Sequence, residues 1–128
     1  MTLTRIRALW IGLAAIAGTV LLHAAVGFGC YRQDLGMFIT GVLYFLLIPL
    51  LPAALSLLRA NPLGAVGACL FVVPWILFAY YVDCVKPYAG GGASLAYVAV
   101  ILYGTPGAIL GALVTPWLAR RAGLQVID

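Results

Sequence analysis

Four long apolar stretches fill most of this 128-residue chain, and its few charged side chains lie at their ends or between them. Hydrophobic residues make up 66% of the sequence and charged residues 8%, whereas a soluble domain carries roughly 25% charged residues. A helix of about 20 apolar residues crosses the ~30 Å hydrocarbon core of a bilayer. The sequence therefore predicts an all-α integral membrane protein, a single-domain bundle of four transmembrane helices with short loops.

The predicted spans are residues 8–28, 36–58, 63–82 and 95–118. Each of the last three contains proline, which removes a backbone donor and can bend a helix. The first span is longer than the roughly 7–15 apolar residues of a signal-peptide core. We therefore expect it to be retained as a membrane helix.

The distribution of positive charge predicts the orientation, because lysine and arginine accumulate in cytoplasmic loops. The spans put Arg32 and Lys86 on one side of the membrane. Five arginines fall on the other side: Arg5, Arg7, Arg59, Arg120 and Arg121. This count predicts a multi-pass protein of the bacterial inner membrane with both termini in the cytoplasm.

Two cysteines gain significance from this orientation. Cys30 and Cys84 would both lie just outside the membrane, where an oxidising periplasm lets disulfides form and persist. We predict a Cys30–Cys84 disulfide that ties the outer end of the first helix to that of the third. The alternative is two unpaired interfacial cysteines, and Cys69, inside the third span, is interpreted as a small packing residue.

His23 is the only histidine and lies inside the first span. Ionisable residues within a membrane are functional candidates by default. His23 shares helical spacing with Gly12, Ala15 and Thr19, a stripe of small residues that favours contact with another helix. We interpret it as a candidate intramembrane polar site, with a neutral, hydrogen-bonded packing role as the alternative.

Small residues also recur along the fourth span, where Gly104, Gly107 and Gly111 follow helical spacing and the last two form a GxxxG motif. Such residues let helix backbones approach closely, which favours association inside a bilayer. Together with Gly12 in the first span, they are predicted helix-packing positions. The contact is either internal to the bundle or an interface with another chain.

The outer loops carry the remaining charges. Arg32 and Asp34 follow the first span, and Asp83 and Lys86 follow the third. Isolated surface ion pairs contribute under about 1 kcal/mol to stability. We therefore interpret these four side chains as a candidate recognition surface for an extracytoplasmic partner.

The sequence contains no pattern that names a reaction. It lacks an HExxH motif, a zinc-like set of Cys and His, and a pair of carboxylates close in sequence. The positive charges are scattered at helix ends and form no basic face for nucleic acid. We expect no catalytic residue, no metal, no cofactor and no nucleic-acid partner, and therefore no enzyme.

The favoured hypothesis is a small non-catalytic membrane protein that acts by binding other proteins. It would be an immunity protein against a membrane-directed toxin or an accessory subunit of a membrane complex, because both roles need shape more than chemistry. One alternative is a homo-oligomeric transporter or flippase for a lipid or an uncharged solute, supported by helices interrupted by proline and glycine.

Two further comparisons are weaker. The chain is similar in size to the small multidrug transporters, which depend on a glutamate in the first helix, but it contains no glutamate. A membrane thiol-redox protein is the second alternative. That chemistry needs two exchanging cysteine pairs, whereas the three cysteines here stand isolated in the sequence.

Overall fold

A computed structural model of the chain describes residues 2–29, 34–59, 61–82 and 98–127. The elements in chain order are β1 (Thr2–Thr4), α1 (Arg5–Gly29), α2 (Leu35–Gly41), a π-helical segment (Val42–Leu46), α3 (Leu47–Ser56), α4 (Gly64–Tyr80), α5 (Val98–Leu102), α6 (Gly104–Arg121) and β2 (Gln125–Ile127). The prediction of a predominantly helical chain is confirmed.

Within the residues that the structure describes, three helices are long and apolar enough to cross a membrane, judged by length and composition. They are Arg5–Gly29, Leu35–Ser56 and Val98–Arg121, with 25, 22 and 24 residues. The helix of the predicted third span, α4, is equally apolar but has 17 residues. At 1.5 Å per residue it is about 25 Å long, slightly less than the thickness of a typical hydrocarbon core.

The Leu35–Ser56 helix departs from α geometry over the π-helical segment, one turn before Pro49. A proline lacks the N–H that would bond to the carbonyl four residues earlier, and its ring clashes with that carbonyl. A π-helical turn widens the backbone at this point, so the helix accommodates Pro49 and continues through Pro52 to Ser56. The Ser56 hydroxyl donates a hydrogen bond to the Pro52 carbonyl oxygen at 2.8 Å.

Helix α4 lies at the centre of the described helices and contacts α1, α3 and α6. Its central position explains why small and aliphatic residues along it are buried, among them Ala65, Ala68, Val72 and Ile76. The other helices contribute further core residues, among them Leu46, Ala53 and Val100.

Many large apolar side chains lie on the outside of the bundle. Leu21, Tyr44 and Leu70 are all more than 60% exposed, whereas much of the buried core is alanine and glycine. Soluble monomers rarely expose contiguous apolar patches larger than a few hundred Å². Small residues inside and large apolar residues outside are typical of helices that face lipid, because close backbone packing replaces the hydrophobic effect between them.

The two ends of the chain form a short parallel sheet that the sequence analysis did not predict. Strand β1 pairs with β2, with Thr2 opposite Gln125, Leu3 opposite Val126 and Thr4 opposite Ile127. Since β1 leads directly into α1 and β2 follows α6, this pairing fixes the start of the first helix and the end of the last helix at the same end of the bundle.

Candidate functional site

His23 is buried in the last third of α1, with 3% of its surface exposed. Its imidazole stacks on the ring of Phe38 in α2, with 5.4 Å between centroids and 29° between planes. Phe28 also packs against Phe38, with 4.9 Å between the two ring centroids. The predicted intramembrane polar site therefore lies against aromatic rings, where the α1 end meets the α2 start.

Thr19 lies one turn before His23 and is also buried. Its hydroxyl donates to the carbonyl oxygen of Ala15 at 2.9 Å, within α1. The Cys69 side chain of α4, which is 4% exposed, forms a hydrogen bond with Thr19. The Thr19 hydroxyl thus has hydrogen-bond partners in both α1 and α4, at the contact between these two helices.

Gly12 lies where α1 crosses the start of α4. A Cβ added at this position would lie 3.2 Å from the carbonyl oxygen of Pro62 and 3.2 Å from the Cβ of Ala65. It would come even closer to Leu57, 2.7 Å from one of its methyl groups. The absence of a side chain at Gly12 thus lets α1 approach the turn between α3 and α4.

Gly111 of α6 packs directly against Gly67 of α4. A Cβ at Gly111 would overlap the Gly67 carbonyl group, and one at Gly67 would lie 2.5 Å from the Gly111 carbonyl oxygen. One turn along, a Cβ at Gly64 would lie 2.8 Å from the carbonyl oxygen of Ala112. Here the two backbones touch, so this part of the small-residue stripe packs inside the bundle.

Two other glycines of the predicted stripe have more room. A Cβ at Gly107 would lie 3.2 Å from the Cβ of Phe71 in α4. At Gly104 the nearest neighbour, an atom of the Trp75 ring, is 3.7 Å away, which is ordinary van der Waals contact. The close helix contact is therefore concentrated at Gly111 and relaxes toward the start of α6.

Of the predicted outer recognition residues, the structure describes Asp34. Its carboxylate oxygen accepts a hydrogen bond from the Met37 backbone N–H at 2.8 Å and caps the start of α2. Arg32, Asp83 and Lys86 lie outside the described residues, as do Cys30 and Cys84 of the predicted disulfide. The recognition surface and the disulfide therefore remain predictions.

The side of α1 that faces away from α4 carries a second row of small residues together with three larger apolar side chains. It consists of Trp10, Ala14, Ala17, Gly18, Leu21, Ala25 and Phe28, all exposed and aligned at helical spacing. We call these seven residues the α1 outer face. A Cβ at Gly18 would have no neighbour within 4 Å among the described residues. The small residues of this face recur three and four positions apart in the sequence. The buried stripe through Gly12 has the same spacing, so the sequence pattern alone does not separate the two.

The five arginines counted in the sequence gather at one end of the described helices, which we call the arginine end: Arg5, Arg7, Arg59, Arg120 and Arg121. The Arg5 guanidinium donates two hydrogen bonds to the Arg59 carbonyl oxygen, both at 3.4 Å. The pairing of β1 with β2 brings the end of α6 to the same place.

Within the described residues, no group of three or more His, Cys, Asp or Glu side chains is arranged to hold a metal ion. Comparison with known proteins finds no family, no curated protein and no solved structure that matches this chain. Its function is therefore inferred from its residues and their geometry.

Proposed function

We propose that this chain is a small non-catalytic protein of the bacterial inner membrane that crosses the bilayer four times and acts by binding another membrane protein through the α1 outer face. Both termini are cytoplasmic in this proposal. The partner is either a complex to which the chain is an accessory subunit or a membrane-directed toxin to which it confers immunity.

The paired chain ends support four crossings. Three crossings would leave the termini on opposite sides of a membrane, where β1 and β2 could not meet. The pairing of these strands therefore favours an even number of crossings, which is four if the short helix α4 crosses in addition to the three long ones. Five arginines at the end where the termini meet favour a cytoplasmic location for that end.

The observation that carries the binding proposal is the exposure of Gly18 in the middle of the α1 outer face. A glycine inside a helix costs about 0.5–1 kcal/mol relative to alanine. At Gly111 that cost is offset by a close backbone contact, whereas a Cβ at Gly18 would meet no other described residue within 4 Å. A small residue at such a position favours close approach of a helix from another molecule.

The rest of the face fits the same role. Ala14 and Ala25 lie before and after Gly18 along the helix and are exposed, so a partner helix could follow this row of small residues beside the larger side chains of Trp10, Leu21 and Phe28. Ridges of large residues beside a groove of small ones give the interlocking surfaces by which membrane helices pack.

The test compares two identical substitutions on different faces. Ala14→Leu fills the groove, while Ala54→Leu adds the same side chain at an exposed position of α3. We expect Ala14→Leu to lose the protein that co-purifies with the wild type in mild detergent. Ala54→Leu should retain it, and both variants should unfold at similar temperatures.

Photo-crosslinking from position 18 identifies the neighbour directly. A stoichiometric foreign protein supports the proposal, and the effect of deleting the chain then distinguishes its two forms. Loss of a specific complex indicates an accessory subunit, and sensitivity to a toxin indicates an immunity protein. Equal loss of partner in both leucine variants would contradict the role of the α1 outer face, and crosslinks only to a second copy would favour the homo-oligomeric transporter.

A further inference from the structure

The arginine end holds all five positive side chains in the described part of the molecule. The single acidic side chain described, Asp34, is at the start of α2. That point is at the opposite end of the bundle, since Phe38 of α2 packs against Phe28 in the last turn of α1. No described carboxylate therefore neutralises the arginine end.

Like charges at one end repel one another, and a bound anion would relieve this repulsion and supply hydrogen-bond acceptors to the guanidinium groups. Within the described residues, Arg5 finds only a backbone carbonyl, that of Arg59, at 3.4 Å. The other members of the cluster, including Arg120 and Arg121 in the last turn of α6, are exposed.

The last turn of α6 places two arginines beside apolar surface. The Arg121 guanidinium lies over the Trp117 ring, 4.9 Å from its centroid, which restricts the orientation of the arginine. Trp117, Arg120 and Arg121 line an open depression of about 400 Å³. Arginine presents two parallel N–H donors to phosphate oxygens, and tryptophan is enriched at the level of lipid headgroups.

We infer that the arginine end binds the phosphate groups of anionic phospholipids, with Arg120, Arg121 and Trp117 as the main contact. This inference rests on the membrane location in the proposed function. A lipid is favoured over a soluble anion because Trp117 and Leu118, 48% and 52% exposed, place apolar surface next to the cations. The acyl chains of a lipid would cover that surface, while a free phosphate would leave it bare.

The test is a competition between two lipids on the purified full-length protein. Phosphatidylglycerol and phosphatidylcholine with identical acyl chains are added in equal amounts to the same detergent micelles, and native mass spectrometry gives the ratio of the two complexes. Each arginine near an anionic lipid surface contributes about 1 kcal/mol, which corresponds to roughly a fivefold preference. We expect the wild type to favour phosphatidylglycerol at least about fivefold.

Three variants and one competitor isolate the contact. Arg120→Gln with Arg121→Gln should lose most of the preference, whereas Arg120→Lys with Arg121→Lys should keep much of it because the charges remain. Arg32→Gln with Lys86→Gln removes the same net charge elsewhere in the sequence and should leave the preference unchanged. Inorganic phosphate at constant ionic strength should not displace the lipid, and displacement would indicate a soluble-anion site instead.

The remaining results that would overturn the inference differ in what else they overturn. A wild-type ratio near one contradicts the lipid contact alone, provided that the protein floats with vesicles in a density gradient. The lipid contact is also contradicted if replacing Arg32 and Lys86 by glutamine reduces the preference as much as replacing Arg120 and Arg121 by glutamine. If the wild type does not float with vesicles of either lipid, the membrane location fails as well.

Discussion

At the scale of single residues, two glycines that both lie in small-residue stripes have opposite surroundings. Gly111 lies on the Gly67 backbone, while Gly18 faces away from every described neighbour. The lack of a side chain thus allows a close backbone contact inside the chain at Gly111, whereas at Gly18 it leaves an exposed groove. A sequence motif such as GxxxG indicates that backbones can approach closely, but which helix approaches is determined by the fold.

The contrast leads to a stability prediction. Gly111→Ala should destabilise the purified protein by about 1–3 kcal/mol, since its methyl group would force α6 away from α4. The matched change Gly18→Ala should be neutral or stabilising by about 0.5–1 kcal/mol, because the added Cβ meets nothing and alanine is the better helix former. Unfolding in a denaturing detergent, followed by circular dichroism, compares the two. Equal destabilisation would contradict the difference in packing.

At the scale of elements, the terminal strands provide a register that can be tested. Leu3 and Val126 are opposite one another in the parallel pair, and both are partly buried. With the native cysteines replaced, Leu3→Cys and Val126→Cys should crosslink readily under a mild oxidant. A strand slipped by one residue would present these side chains to opposite faces.

Gln125→Cys paired with Leu3→Cys is the out-of-register control and should crosslink more slowly. Both reactions are scored by the mobility of the protein after cleavage in a central loop, which separates the halves unless the bond has formed. Equal rates would mean that the ends are near each other but are not paired as strands.

The helices were predictable from sequence because each is a long apolar run. The predicted span 8–28 lies within Arg5–Gly29, and 63–82 includes all of α4. The π-helical segment was less accessible, because proline predicts a disturbance without specifying whether the backbone bends or widens. The terminal strands were not predicted, since three residues carry almost no periodicity and the partner is more than 120 positions away in the chain.

The candidate sites divide in the same way. The position of His23 in a small-residue stripe that faces another helix could be predicted from the sequence. Its stacking on Phe38 could not, because it depends on how α2 packs against α1. The five arginines were predictable as a group from the spans alone. The α1 outer face was not distinguished, because two stripes of small residues run along α1 and only tertiary packing decides which is buried.

At the scale of the whole molecule, the orientation can be measured with two introduced cysteines in a background without the native ones. Thr2→Cys lies beside the arginine end, and Gly36→Cys lies at the start of α2 at the opposite end; both positions are exposed. In intact spheroplasts, a membrane-impermeant maleimide should label position 36 and leave position 2 unmodified until the membrane is opened. The reverse pattern would contradict the cytoplasmic location of the termini.

The predicted disulfide is tested at the same scale. Cys30 and Cys84 should resist the impermeant maleimide in untreated cells and react after reduction, because the oxidising compartment would keep them paired. Replacing either residue by serine should make the other reactive without reduction. Labelling of both cysteines in untreated wild-type cells would show that the bridge is absent.

The terminal pair also bears on how the protein is made. Strand β2 follows all of the helices, so β1 has no partner strand until every helix has been synthesised. In the proposed arrangement, a chain in which one helix has failed to insert would have β1 and β2 on opposite sides of the bilayer, where they could not pair. If the chain crosses four times as proposed, pairing of β1 with β2 would therefore distinguish chains that have inserted an even number of helices from chains that have left one out.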